Sequence, residues 1–138
     1  MADMNDFNRK VIEEFRTNSG KVGGPFAAAS MILLTTKGAK SGKTYTTPLV
    51  YTRDGDRLVI IASKAGAPKN PDWYHNLVAN SVITVEVGTE KFQARARVTS
   101  GAERERLYNA QAAQMPVFNE YRQKTKREIP VFTLERIG

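Results

Sequence analysis

Residues 35–76 read TTKGAKSGKTYTTPLVYTRDGDRLVIIASKAGAPKNPDWYHN. The stretch alternates strand-forming runs with two basic, glycine-containing turns, and it ends in a proline-started helix carrying the only Trp, Trp73, and the only His, His75. Lys43 to Arg53 is rich in Thr, Tyr and Val and reads as a strand. Pro48 inside it demands a sheet edge or a bulge, because proline cannot donate to the ladder. Asp54-Gly55-Asp56 is a tight hairpin turn, since glycine supplies the positive φ that such turns need. Arg57 to Ser63, with LVIIA at its centre, follows as the most buried strand. Asn70-Pro71 then opens a helix, with Asn as cap and Pro at the first helical position. Trp73 and Leu77 share one face of it, and Tyr74 and Val78 share the neighbouring face.

Upstream, Met31 to Thr36 is a short apolar run bounded by turn residues, the pattern of a buried strand. Lys21 to Ser30, with two adjacent glycines and Pro25, reads as a loop. Asn5 to Asn18 places Phe7, Val11, Ile12 and Phe15 at helical spacing, which predicts an amphipathic helix ending near Gly20. The helix is short and its polar face mixes both signs of charge, so its stripe is expected to pack on the domain. The alternative is a peripheral contact with the inner face of a membrane. Downstream, Val82 to Val87 and Phe92 to Val98 alternate with a period of two around a turn at Gly88 to Lys91. Arg95 and Arg97 fall on the face turned to solvent or an anion. A helical pattern runs from Ala102 to Gln114, another from Pro116 to about Thr125, and Ile129 to Glu135 closes as a strand. Six strands and about four helices result. Short turns between the first five strands favour an antiparallel α+β barrel over a doubly wound parallel sheet. One domain spans 1–138, with a helix in 1–20 and the barrel in 31–138.

At 138 residues the chain is long enough to bury one real core, and 41% hydrophobic residues argue against disorder. The absence of Cys excludes disulfides, thiolate zinc sites and a cysteine nucleophile and fits a cytoplasmic protein. One histidine cannot supply a clustered metal site, so no metal is expected. The acidic N-terminus lacks a secretory signal pattern, and the longest apolar run, Pro25 to Leu34, is half of what spans a bilayer. A net charge of +7 implies an anionic partner: nucleic acid, an acidic membrane, or a phosphorylated or polycarboxylate ligand.

The turn Gly38-Ala39-Lys40-Ser41-Gly42-Lys43-Thr44 approximates a nucleotide phosphate loop, but it has three residues between its glycines where that loop has four. Strand-formers follow Thr44 where a helix is required. Its physical content survives: glycines admit backbone N–H groups to an anion, Ser41 and Thr44 offer hydroxyls, and Lys37, Lys40 and Lys43 bring positive charge with no acid between them. The opposing description is a solvated lysine-rich hairpin. The second turn, Ala62 to Asn70, places Ser63, Lys64 and Lys69 beside a helix N-terminus, which also favours an anion. Trp73 is either core or a ring-stacking wall, and Asn76 either bonds a ligand or solvates its helix.

The series L-T-T-x-G-x-K-S-G, T-P-L, D-G-D-R, A-S-K-x-G-A-x-K-N-P-x-W-Y-x-N-L and R-x-I-P-V resembles, in order and spacing from Met31 onward, the deazaflavin-dependent nitroreductase family of actinobacteria. The resemblance implies a split β-barrel related to FMN-binding barrels, with coenzyme F-420 as cofactor, an 8-hydroxy-5-deazaflavin with a phospholactyl oligoglutamate tail. It implies hydride transfer from the reduced cofactor to a quinone, enone or nitro-type acceptor. On the same matching, Lys40, Ser41, Gly42, Lys43 and Thr44 would meet the phosphate and tail, whose charge Lys37, Lys40 and Lys43 would neutralise. Pro48, Leu49 and Val50 would line the ring, with Ala62, Ser63 and Lys64 at the opposite turn and Trp73 and Asn76 beside it.

The chain departs from the tyrosine-rich helical wall of the best-known nitroreductases, having Met115, Phe118 and Tyr121 there, which argues against nitroimidazole reduction. Tyr121 is the expected substrate-side catalytic residue, its hydroxyl bonding the acceptor or relaying the proton that follows hydride; the alternative is a packed helical tyrosine. Other readings keep the barrel with FMN as cofactor, or make the protein a deazaflavin carrier. A nucleic-acid-binding domain is disfavoured because no aromatics are interleaved with the basic strand positions.

Overall fold

The computed structural model describes residues 6–18, 31–63, 66 and 69–137. The elements are α1 (Asp6–Thr17), β1 (Met31–Lys37), β2 (Thr44–Val50), β3 (Thr52–Asp54), β4 (Arg57–Ile61), α2 (Asp72–Ala79), β5 (Val82–Val87), β6 (Glu90–Val98), α3 (Gly101–Gln114), α4 (Val117–Lys124) and β7 (Val131–Arg136). The predicted loop at 21–30 lies outside the described residues. No helix among them is long and apolar enough to cross a membrane.

The segment expected as one strand is two, because Tyr51 leaves the ladder. β2 pairs with β1 and β3 pairs with β4, so consecutive stretches of chain take opposite edges of one antiparallel sheet ordered β2-β1-β5-β6-β7-β4-β3. Laid flat, seven strands at about 4.8 Å spacing would hold those edges roughly 29 Å apart. One residue spans at most about 3.5 Å. The sheet must therefore curl until its edges meet, giving a split β-barrel with seven strands where the pattern suggested six. Pro48 sits on the edge strand β2, opposite Leu33, where a missing N–H costs no central ladder bond.

The period of two then separates inside from outside. Ile32, Leu34, Leu58, Ile60, Ile83, Val85, Ala94, Ala96, Phe132 and Leu134 meet in the interior, and α2 adds Trp73 and Leu77 to the same cluster. Trp73 is thus core, its ring 5.9 Å from that of Phe132. On the outer face, Val59, Ile61 and Val131 pack under α3 and α4 against Leu107, Tyr108, Ala112 and Phe118. Met31 and Leu33 pack under α1 against Val11, Ile12 and Phe15. Burying a Phe15-sized side chain contributes about 1.5–3 kcal/mol. β1, whose Ile32, Leu33 and Leu34 are inaccessible, is as deeply buried as β4.

At the hairpin joining β3 to β4, Asp54 collects two guanidiniums. Arg106 of α3 donates through Nη1 to Oδ1 (3.0 Å) and through Nη2 to Oδ2 (3.2 Å), and Arg57 bonds the same carboxylate. Arg57 also reaches Glu103, so the start of α3 is tied across β4. Hydrogen bonds from Arg106 and Arg57 lower the Asp54 pKa from 3.8 to about 2. A lowered carboxylate pKa stabilises the fold above its unfolded value, and that stability is lost as pH falls through the folded value. In thermal melts, Asp54→Asn is expected to unfold below wild type, by a margin that is constant above about pH 5 and shrinks toward zero as pH approaches about 2.

Candidate functional site

Register determines which loops can act together. β1 and β4 both end at the rim where β5 and β7 begin, because β5 opposes β1 (Thr35↔Thr84) and β7 opposes β4 (Ile61↔Val131). The turn after β1 and the connection after β4 therefore share one end of the barrel. α2 crosses that end from the second turn to the first, a span of roughly 12 Å for its eight residues.

The first turn is built by its own polar groups. Gly38 N–H donates to Lys43 O (2.7 Å) and Gly42 N–H to Gly38 O (3.2 Å), with Gly42 at φ 73 in the left-handed region. Ser41 Oγ accepts from Lys43 N–H (3.2 Å) and shares a hydrogen bond with Tyr45 Oη (3.1 Å). A Cβ at Gly38 would stand 2.6 Å from Ser41 Oγ, so a side chain there would displace the hydroxyl that bonds Lys43 N–H. From α2, Asn76 Oδ1 accepts from Ala39 N–H (3.0 Å), Asn76 Nδ2 donates to Thr36 Oγ1 (3.1 Å), and Asn80 Nδ2 reaches Lys37 O (3.4 Å). The amide of Asn76 and the hydroxyl of Ser41 are thus engaged in shaping the turn. What faces outward is cationic: Lys37, Lys40 and Lys43 are exposed, and none forms an ion pair among the described residues. Thr44, also exposed, starts β2 beside them.

The second turn is docked from behind. Ala62 and Ser63 are buried, Ala62 N–H donates to Pro130 O (2.9 Å), and Gly66 N–H donates to Ser63 O (2.9 Å). Gly66 has φ 81, and a Cβ there would lie 2.9 Å from both the Tyr121 carbonyl oxygen and Lys124 Cβ. Gly66 therefore rests against the last turn of α4. Lys64 lies outside the described residues. Asn70 does not cap α2: Pro71 is the N-cap residue, and Asn70 Oδ1 instead accepts from Arg127 Nη1 (2.7 Å). A charge-assisted bond outcompetes a neutral cap, and Asp72 in the first turn complements the helix N-terminus.

The remaining predicted residues fall in two places. Pro48, Leu49 and Val50 lie half-buried on β2, and the strand period divides them. Leu49 packs on the barrel interior, while Val50 packs with the α1 cluster. Met115, Phe118 and Tyr121 belong to the layer under α3 and α4. Phe118 is buried, with Tyr121 set edge-on at 5.2 Å between ring centres. Tyr121 is half-buried, and its carbonyl abuts Gly66, so it is the member of the trio nearest the second turn. Sequence reasoning missed Arg127 and Asn80, which hold these turns from outside; Arg127 was visible only as the first letter of R-x-I-P-V.

Comparison with known proteins agrees with this architecture. A family described as F420H(2)-dependent quinone reductase matches residues 7–136. A quinone reductase of that description from Mycobacterium tuberculosis (strain ATCC 25618 / H37Rv) is 37% identical over 129 residues, 88% of this chain and 85% of the relative. Among solved structures, an F420-H2 dependent reductase (FDR-A) superposes with TM-score 0.71 at 39% identity, covering 77% of this chain and 94% of that one. A chain described as a domain-swapped dimer gives TM-score 0.73 at 36% identity, covering 92% and 93%.

Removing the Asn76 amide leaves the buried Thr36 hydroxyl without its donor and releases the Ala39 N–H to solvent. Asn76→Ala is expected to lower unfolding free energy by about 1–3 kcal/mol in chemical denaturation. The Ala39 amide should exchange faster with solvent in the variant. Wild-type exchange there would show that the turn stands without α2.

Proposed function

The chain belongs to the F420H(2)-dependent quinone reductase family, and on that premise we propose that it binds coenzyme F-420 at the α2 end of the barrel and passes hydride from the reduced cofactor to a quinone-class acceptor. The observation that carries the binding reading is the lysine turn. Three exposed ammonium groups on a turn held rigid by Asn76, without a carboxylate partner among the described residues, fit a phosphodiester followed by several glutamates. A single FMN phosphate would use only part of that charge.

Bound there, the deazaflavin supplies a two-electron hydride donor. The chain's residues bind, orient and shield. Lys37, Lys40, Lys43 and Thr44 hold the acidic tail, with Ser41 and Gly42 shaping the turn that presents them. Leu49 and the backbone of Pro48 and Val50 support the ring from β2, Ala62 and Ser63 bound the opposite side, and Lys64 adds charge there. Trp73 acts from within the core, carrying Asn76 into position on the same helix. Orientation of this kind converts an encounter into an effectively unimolecular step. Tyr121, half-exposed beside the second turn, presents Oη to the acceptor, where it hydrogen-bonds a quinone oxygen and delivers the proton that balances the hydride. Met115 and Phe118 form the apolar backing of that wall.

The binding reading is tested by fluorescence titration with coenzyme F-420 beside FMN at two salt concentrations. Tight F-420 binding that weakens with salt is expected, with Lys40→Ala and Lys43→Ala each several-fold weaker and less salt-dependent. Equal affinity for FMN would overturn the tail assignment. With menadione as acceptor, Tyr121→Phe is expected to reduce kcat by roughly tenfold to a hundredfold at unchanged F-420 affinity. Unchanged turnover would return Tyr121 to a packing role.

A further inference from the structure

Arg127 lies between the end of α4 and the start of β7, away from the lysine turn, yet its guanidinium spans the whole connection from β4 to α2. Nη2 donates to the carbonyl oxygens of Ala62 (3.2 Å) and Ser63 (2.9 Å), where β4 ends, and Nη1 donates to Asn70 Oδ1 (2.7 Å), where α2 is about to begin. The Arg127 N–H is itself held by Thr125 Oγ1 (3.3 Å), which fixes the segment that carries the side chain. Arg104 of α3 secures the same segment farther on, donating from Nε to Ile129 O (2.9 Å). Between the two ends bridged by Arg127, Gly66 is seated against the Tyr121 carbonyl and Lys124.

We propose that Arg127 is a positioning residue that sets the distance between the end of β4 and the start of α2, and through α2 the placement of both turns. The inference rests on the cofactor reading above only for its consequence in affinity; the geometry stands without it. α2 has two fixed points along its course: Arg127 holds its approach through Asn70, and Asn76 delivers its far half to Ala39 and Thr36. A displacement at the first point is carried along a rigid helix to the second. The same guanidinium joins the α4 to β7 segment to the β4 rim, so the Tyr121 wall and the cofactor-side turn stay in register. The task needs a planar fork. Lysine places its donors on one nitrogen atom and cannot reach two successive carbonyls and a side-chain amide at once.

The test uses Arg127→Ala and Arg127→Lys, each shown to be folded by thermal melting and studied well below its transition. In the protein without cofactor, amide exchange at Gly66 and along α2 is expected to quicken at least tenfold in both variants, with no change at Leu58 beside the Asp54 hairpin. In fluorescence titrations, both are expected to bind coenzyme F-420 about tenfold or more weakly, a difference of about 1.4 kcal/mol. Guanidinium ion, far below denaturing concentration, should restore Arg127→Ala toward wild-type affinity where ammonium ion does not. If Arg127→Ala fails to fold, Arg127→Lys carries both measurements. Wild-type exchange and affinity in Arg127→Lys would overturn the proposal, as would equal rescue by ammonium. Failure of the wild-type protein to bind F-420 would instead overturn the cofactor reading, and the exchange measurement would still judge Arg127.

Discussion

One covalent constraint organises the barrel: the two edge strands of a seven-stranded sheet are neighbours in the chain, parted only by Tyr51. No flat sheet satisfies that connection, so curvature follows from connectivity before any packing is counted. Once the sheet curls, alternate side chains of its strands converge on one interior. The other alternates are left outward, where α1 covers β1 and the pair α3 and α4 covers β4 and β7. Three apolar clusters on two faces of one sheet are the direct consequence of a period of two on a closed surface.

The rim where β1 and β4 end is left to be filled, and α2 fills it. Trp73 and Leu77 are its plug, and Asn76, on the same buried side, is its handle on the lysine turn. The helix thus joins the hydrophobic core to the cationic turn. That coupling fixes the turn's backbone and the Ser41 hydroxyl while its lysines stay outward. Lysine ammoniums on a fixed turn lose less freedom on binding than lysines on a loose loop, which is the physical value of the arrangement.

The described residues of the second turn are held by different means. Its ends are bridged by a guanidinium, and its middle rests, through Gly66, on the backbone of α4. A half-buried guanidinium bonded to neutral carbonyls is costly to desolvate, and its partial burial lowers the Arg127 pKa. Such a group persists when it determines one geometry among several, which matches its place where three segments meet.

Local pattern in the chain was enough to determine strand and helix identity, the hairpin at Gly55, the edge placement of Pro48, the cationic turn without acids, and, through motif order, the barrel class. Each of these depends on residues within a few positions of one another. The break at Tyr51 was invisible because tyrosine favours strands as much as its neighbours do. The roles of Asn76, Asn70 and Arg127 depend on partners 37 to 65 positions away. Whether an amide oxygen caps its own helix, meets a ligand or accepts from a distant guanidinium is decided by which partner the closed barrel brings within 3 Å. That proximity exists only in the tertiary structure, since hydrogen bonding falls off within about an ångström while sequence distance says nothing about space.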